Sequence, residues 1–395
     1  MLCQIDLVIV GGGIAGLWTL AKARAQGIDA VLFEKEALGS GQTICSQGII
    51  HGGSKYALQG KITGATESIA EMPKLWLQAL SGEGDVKLTD TNLLAENQFL
   101  VPASGIDSKL LSFFGSKTMT SFTKSIKAND LPPNMQSLKI ERNCFQLFEP
   151  VIAVDSLIAD LKNQYADYIY QFELTAEQVI EHESHLVILI EHNDLKLELN
   201  AQALLLCTGE GFAGLKSIMP KQNMQLRPLH MLAMTANKDV LPQLYAHFIG
   251  RSSKPLLTVT SHPNKNNMTW YLGGNLAEDG INNSHAKQVK DAKKLLSKLL
   301  PQLDTSQFKF DSIIINRAEP EQNGLLRPDD AFLNTQSRIF TAWPTKLALA
   351  PRLAQQVIDA LNKLPNQSDA SADTISSAQL ALPKPDCANY PWLTQ

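Results

Sequence analysis

The chain of 395 residues lacks the features that would place it in several common classes. Its five cysteines, Cys3, Cys45, Cys144, Cys207 and Cys387, include no Cys-x-x-Cys pair. That argues against a disulfide framework or a zinc site and for reduced, mostly buried thiols, so no metal is expected. No apolar run approaches the roughly 18 residues of a membrane span, and a first strand beginning at Ile5 leaves no room for a signal peptide. A cytoplasmic protein is expected, with peripheral contact to a membrane surface left open. Positive charge is not in excess either: 35 Lys and Arg stand against 39 Asp and Glu, for a net charge of −4. Without a basic footprint, nucleic acid is not an expected partner. What remains is an ordinary globular composition, 44% hydrophobic and 19% charged. At about 100–200 residues per domain this length suggests two or three domains.

The most informative stretch is the first thirty-five residues. Leu7-Val8-Ile9-Val10 suits a parallel strand buried on both faces, and Gly11, Gly13 and Gly16 give Gly-x-Gly-x-x-Gly spacing where that strand turns into a helix through Ile14 and Ala15. One glycine permits the tight turn, one lets backbone approach a pyrophosphate, and one lets helix pack on strand. The helix N-terminus offers unpaired N–H groups and positive dipole to phosphates. Gly27 closes the helix. A second strand then ends at Glu34, 18 residues past Gly16, near the spacing of about 20 at which a carboxylate accepts from an adenosine ribose. The same carboxylate disfavours a 2′-phosphorylated cofactor.

Residues 37–56 follow as a loop rich in glycine, with Lys35 at its entrance and Ser40, Gln42, Thr43, Ser46 and Gln47 as donors to phosphates and hydroxyls. Gly48-Ile49-Ile50-His51-Gly52-Gly53-Ser54-Lys55-Tyr56 resembles the His-Gly-Gly-x-Arg-Tyr loop of FAD-dependent glycerol-3-phosphate dehydrogenases. More broadly it resembles the D-amino-acid-oxidase superfamily, which includes glycine and sarcosine oxidases and 2-hydroxyglutarate dehydrogenases. The resemblance implies FAD, with this loop passing the flavin ring and a histidine matching His51 joined to it in some members.

Further along, Asp155 or Ser156 can cap a helix carrying Leu157, Ile158 and Leu161, and 186–190 with 195–199 reads as a hairpin. Ala203 to Gly211, with Cys207, Thr208 and Gly209, is a buried strand closing on a second glycine turn. It resembles the Ala-Thr-Gly element that closes the FAD site in the superfamily, where a valine like Val179 lies near adenine. Gly209, Gly211 and Gly214 repeat the dinucleotide spacing, but Pro220 stops the helix and no strand ending in an acid follows, so a second nucleotide site is rejected. Residues 221–320 read as an antiparallel sheet with one helix near 284–300. The segment from Arg327-Pro328 through Pro344, Thr345, Lys346 and Leu347 into a last helix resembles the superfamily's closing unit. Ala348-Leu349-Ala350-Pro351 replaces the Thr-Thr-Tyr-Arg of the glycerol-phosphate enzymes, which puts glycerol phosphate in doubt.

The expected fold is α/β: a Rossmann-like FAD-binding domain of the glutathione-reductase type with a parallel central sheet, and a second α+β substrate domain on a mixed or antiparallel sheet. The first is assigned 1–75, 150–220 and 321–365, and the second 76–149 and 221–320. Residues 366–395 read as a polar linker and a tail that docks back or stays loose. Residues 57–75 are expected to be helical. His51 is a candidate base or flavin neighbour, and Lys346 a cation that offsets charge at the flavin pyrimidine. Lys55, Tyr56, His230 and Arg327 are candidate substrate residues, the cations suited to a carboxylate or phosphate. The leading reading is hydride removal from a small anionic 2-hydroxy acid or polyol derivative, with oxygen, a quinone or a protein as acceptor. An amine or amino-acid oxidase is the alternative, and a flavin-binding protein without turnover the second alternative.

Overall fold

A computed structural model of the protein describes residues 2–53, 69–103, 123–193, 195–250, 254–321, 330–365 and 380–393. The strand β1 (Leu2–Val10) passes through the glycine turn into α1 (Ile14–Ala25) and returns as β2 (Ala30–Glu34). After the loop come α2 (Met72–Leu80), β3 (Leu93–Ala95), β4 (Gln98–Pro102) and β5 (Thr123–Ile126). Next are α3 (Pro133–Ser137), β6 (Cys144–Leu147), β7 (Val151–Ile152) and α4 (Val154–Tyr165). These lead to β8 (Ile169–Gln171), β9 (Val179–Glu181), β10 (Leu186–His192) and β11 (Leu195–Leu206). The second half supplies β12 (Met224–Asn237), β13 (Ala246–Ile249), β14 (Pro255–Asn264) and β15 (Asn267–Gly273). Then α5 (Asn275–Asp279), α6 (His285–Leu299) and β16 (Lys309–Pro320) follow. The described chain closes with β17 (Phe332–Gln336), β18 (Ile339–Trp343) and α7 (Ala350–Leu361).

Two eight-stranded sheets carry the architecture, and they match the expected α/β fold. The first has the order β17-β18-β11-β1-β2-β8, with β10 and β9 branching from β11. Its core pairings, β18 to β11 to β1 to β2 to β8, are parallel. Successive side chains of β1 are buried on alternate faces. Leu7 and Ile9 join the cluster under α1, α4 and α7, while Val8 and Val10 join the cluster on the opposite face with Phe33, Leu204 and Leu206. Strands buried on both faces must be apolar throughout, and each fully buried aliphatic side chain contributes about 1.5–3 kcal/mol. The second sheet, β16-β12-β15-β14-β13-β4-β6-β5, is antiparallel apart from the parallel pair β13 and β4. Trp270, Phe248, Leu296 and Leu299 pack on one of its faces.

Three local expectations are corrected. The helix expected to stop at 75 runs on as α2 to Leu80, because Pro73 presets its first turn and Trp76 is buried against Trp18, with ring centroids 4.4 Å apart. Gly82, at φ 79°, ends it. Neither Asp155 nor Ser156 caps α4. The helix begins at Val154 with Ala153 at its N-cap, and the Ser156 hydroxyl donates back to the Ala153 carbonyl at 2.8 Å. Asn129-Asp130-Leu131-Pro132-Pro133-Asn134, which reads in sequence as a loop, holds the start of α3, again on a proline. Of the linker and tail, 366–379 lies outside the described residues.

The tail docks. Its backbone bonds to Leu38 through Asp386 and Ala388, and the Tyr390 hydroxyl accepts from Val154 N at 2.8 Å. The rings of Tyr390 and Trp392 stack 4.6 Å apart and close over His262, at 4.9 and 5.0 Å. Burial pushes the His262 imidazole down from 6.5 to about 3. Between those values the unfolded chain binds a proton that the folded chain refuses, so stability falls as pH falls below about 6.5, by up to about 1.4 kcal/mol per pH unit. Thermal unfolding from pH 7.5 to 4.5 is expected to show a shallower acid-side loss for His262→Gln than for the unmodified protein. Identical slopes would contradict this origin.

Candidate functional site

A cavity of about 1140 Å³ opens between the carboxyl ends of β1, β2 and β11 and the inner face of the second sheet. That exceeds the roughly 300–1,000 Å³ of drug-sized pockets and sits where open α/β sheets bind ligands. Gly11, Gly13, Ile14 and Ala15 line one side. Gly11 has φ 110°, and a Cβ there would lie 2.5 Å from the Cys207 carbonyl oxygen, so β1 and β11 can meet only at a glycine. The first N–H groups of α1 point into the cavity mouth by helix geometry. One of them, Ile14 N, donates to Thr43 Oγ1 at 3.0 Å, so Thr43 caps the helix from the following loop.

Glu34 is 8% exposed and works on backbone: its Oε2 accepts from Gly12 N at 2.6 Å and its Oε1 from Glu36 N at 2.9 Å. The carboxylate therefore fixes the glycine turn while it lines the cavity beside Lys35. Gln42, Thr43, Ser46, Gln47 and Gly48 continue the wall, and Cys207, Thr208, Gly209 and Gly211 face them. Gln47 is less available than its position suggests, because its Nε2 donates to the Tyr271 carbonyl at 2.9 Å and ties the loop to the second sheet. Burial pushes the Cys45 thiol up to about 11 and the Cys207 thiol well above its ordinary range, so both stay protonated and unreactive.

The far end is formed by Pro344, Thr345, Lys346 and Leu347. This turn is pinned by Asp330, whose carbonyl accepts from the Thr345 hydroxyl at 3.0 Å and whose carboxylate takes both arms of the Arg352 guanidinium at 2.6 Å. Nearby His51 lines the cavity, its Nδ1 2.9 Å from Glu149 Oε2. Leu229, Met231, His247, Thr258 and Ile315 of the second sheet also line the cavity, with the His247 ring 5.9 Å from that of His51.

Three of the expected residues do not line the cavity. Gly16 is a packing position, since an added Cβ would lie 2.0 Å from the Gly11 carbonyl oxygen. Val179 is held in β9 against Ile188, and the wall it was expected to form is made by Phe172, Glu173, Leu174, Thr175 and Glu177. His230 is the clearest correction. Side chains alternate along a strand, so Leu229 and Met231 face the cavity while His230 points away. It is 2% exposed, with Nδ1 3.0 Å from the Gly280 carbonyl and Nε2 2.8 Å from Ser312 Oγ. Lys55, Tyr56 and Arg327 lie outside the described residues, as do 57–68 of the expected helix. Residues not singled out in the sequence are Phe172 to Glu177, His247 and Glu149. The pairing of β8 beside β2 brings the first of these to the site, that of β13 beside β14 brings His247, and that of Val151 beside Ile49 brings Glu149.

The family model for FAD dependent oxidoreductases (DAO) matches residues 6–335. The chain belongs to that family. A protein of Pseudomonas aeruginosa named as a probable FAD-dependent oxidoreductase is 40% identical over 391 residues, 98% of this chain and 97% of its own. The crystal structure of an FAD-dependent oxidoreductase of that organism superposes with a TM-score of 0.80 at 34% identity, covering 100% of this chain and 99% of the other. Glycine oxidase from Geobacillus kaustophilus shares the fold, with a TM-score of 0.63 at 16% identity over 94% and 98% of the two chains. An alpha-glycerophosphate oxidase of Streptococcus pyogenes matches in sequence at 33% identity over 68 residues, 17% of this chain and 11% of that one. The link to glycerol-phosphate enzymes in sequence is thus local.

The protein is an FAD-dependent oxidoreductase, and its cavity fits the cofactor. Ser46 Oγ and Thr208 Oγ1 are buried in its wall without a hydrogen-bond partner among the described residues. Buried hydroxyls cost free energy unless satisfied, and a ligand rich in phosphate and hydroxyl oxygens would satisfy both. Among the described residues, no helix is long and apolar enough to cross a membrane.

Proposed function

We propose that the protein oxidises the carbon–nitrogen bond of a small amino or imino acid, the amine reading rather than the hydroxy-acid one. Bound FAD would accept a hydride from the carbon. Gly11, Gly13, Ile14 and Ala15 would hold its pyrophosphate, Glu34 and Lys35 its adenosine, with Gln42, Thr43, Ser46, Gln47, Gly48, Cys207, Thr208, Gly209 and Gly211 along its length. Pro344, Thr345, Lys346 and Leu347 would meet its ring, where the Lys346 cation offsets negative charge. His51 would take the proton that the substrate loses.

The observation that carries the substrate reading is the apolar character of the second-sheet wall beside His51 and His247. A phosphorylated polyol requires several polar partners, yet the positions that are Thr-Thr-Tyr-Arg in glycerol-phosphate enzymes are here Ala348, Leu349, Ala350 and Pro351, all buried in the core. The facing wall offers the apolar Leu229, Met231 and Ile315 beside His247 and Thr258, and Arg317 and Lys254 among its described residues are cations suited to a carboxylate. A small substrate with one apolar arm suits that wall. Solved structures of this fold with named amine chemistry, glycine oxidase, L-amino acid deaminase, L-proline dehydrogenase and iminodiacetate oxidase, support the reading.

The test is anaerobic addition of glycine, sarcosine, L-proline, L- and D-alanine, L-lactate, 2-hydroxyglutarate and glycerol 3-phosphate to the yellow protein. At least one amine is expected to bleach the flavin absorbance while the hydroxylated compounds do not. Bleaching by a hydroxy acid alone would restore the alternative.

A further inference from the structure

His51, Glu149 and His247 each bring a ligand-type atom to within 4.8 Å of the others. Such a cluster invites a metal, but its atoms are engaged with one another and with the protein as a hydrogen-bonded set. The His51 Nδ1 to Glu149 Oε2 distance of 2.9 Å is that of a charge-assisted hydrogen bond. The other carboxylate oxygen accepts from Gly52 N at 3.0 Å, and His247 Nδ1 lies 2.8 Å from Thr258 Oγ1.

The arrangement is built by a short antiparallel crossing. Ile49 bridges Val151, Ile50 N donates to the Pro150 carbonyl at 2.9 Å and Ile152 N to the Gly48 carbonyl at 3.0 Å. The crossing depends on Gly48, at φ 67°, where a Cβ would lie 2.1 Å from the Ile152 carbonyl oxygen. Its register places Glu149 opposite His51 although 98 residues separate them. Glu149 is 2% exposed, and a carboxylate taken out of water costs several kcal/mol unless its oxygens are paired. The ring of His247 lies 5.9 Å from that of His51 at 27°, which fixes the His51 plane from one side.

We infer that Glu149 is a positioning residue for His51. A carboxylate can only accept, so Nδ1 of His51 carries the proton and Nε2 presents a lone pair. This rests on the reading of the cavity as the seat of FAD and substrate. In the step it serves, an ammonium N–H bond of the substrate breaks, its proton goes to His51 Nε2, and the nitrogen keeps the electron pair. The resulting imidazolium is stabilised by Glu149, and bound FAD would supply the acceptor for the hydride lost from carbon. A hydroxyl proton would follow the same route.

The structure points to two measurements. Long-range proton–nitrogen NMR of the flavin-loaded protein, with the His51 signals identified by their loss in His51→Gln, is expected to show Nδ1 protonated and Nε2 bare in the neutral ring. Protonated Nε2 overturns the proposal and requires no other variant. In Glu149→Gln, with flavin content unchanged, the rate constant for anaerobic flavin reduction by whichever compound bleaches the unmodified protein is expected to fall about 10- to 1,000-fold, with half-saturation within about threefold. An unchanged rate constant, or a rise in half-saturation alone, overturns it. Should no compound bleach the flavin while the expected tautomer is seen, the substrate reading fails and the positioning role stands.

Discussion

Glu34→Arg is expected to abolish retention of FAD: the protein should purify colourless and take up added FAD about 10²- to 10⁴-fold more weakly than the unmodified chain. The size follows from what the carboxylate holds. It accepts charged hydrogen bonds from Gly12 N at 2.6 Å and Glu36 N at 2.9 Å, each contributing about 1.5–3 kcal/mol. Arginine is donor only, so both backbone groups would lose their acceptor while a cation entered a site that is 8% exposed. The turn that lines the cavity would be deformed as well as its adenosine end. Flavin-to-protein ratio by absorbance and titration with FAD check the expectation, and a fully yellow variant would remove Glu34 from the account.

Gly16→Ala is expected to cost about 3 kcal/mol or more, beyond ordinary overpacking, because the added methyl meets backbone rather than a movable side chain. The Gly11 carbonyl oxygen lies 2.0 Å from the Cβ position, and α1 cannot withdraw since it is packed between β1, α4 and α7. At this chain length the midpoint of unfolding should fall by about 3 °C or more. The control is the equivalent glycine of the second Gly-x-Gly-x-x-Gly repeat. A Cβ on Gly214 meets nothing within 4 Å, so Gly214→Ala should be close to neutral. Equal losses at both sites, or none at Gly16, would contradict the packing argument.

That contrast bears on how much of the protein was legible in its residues. The first repeat was readable because local spacing, strand burial and Glu34 all constrain one turn. The second has the same letters, but Gly209 to Ile218 forms 3₁₀ turns with no strand-to-helix approach for a glycine to permit. Element types along β10, β11 and α6 were likewise readable from their periodicity. Two strands expected in sequence, 195–199 and 203–206, are one, because β11 continues its pairing with β1 unbroken. The face on which His230 lies could have been read from alternation with Leu229 and Met231, had the inner face been known. Glu149 and Phe172 could not, since each reaches the site through pairings between segments far apart in the chain.

The central claim is that one FAD spans the cavity, with its adenosine at Glu34 and its ring at His51 and Lys346. A crystal structure of the protein purified with its own flavin tests this most directly. The account predicts density running from Glu34 and Phe172 past Ser46 and Thr208 to the turn at 344–347. A ring at the Glu34 end, or flavin bound outside the cavity, would contradict it.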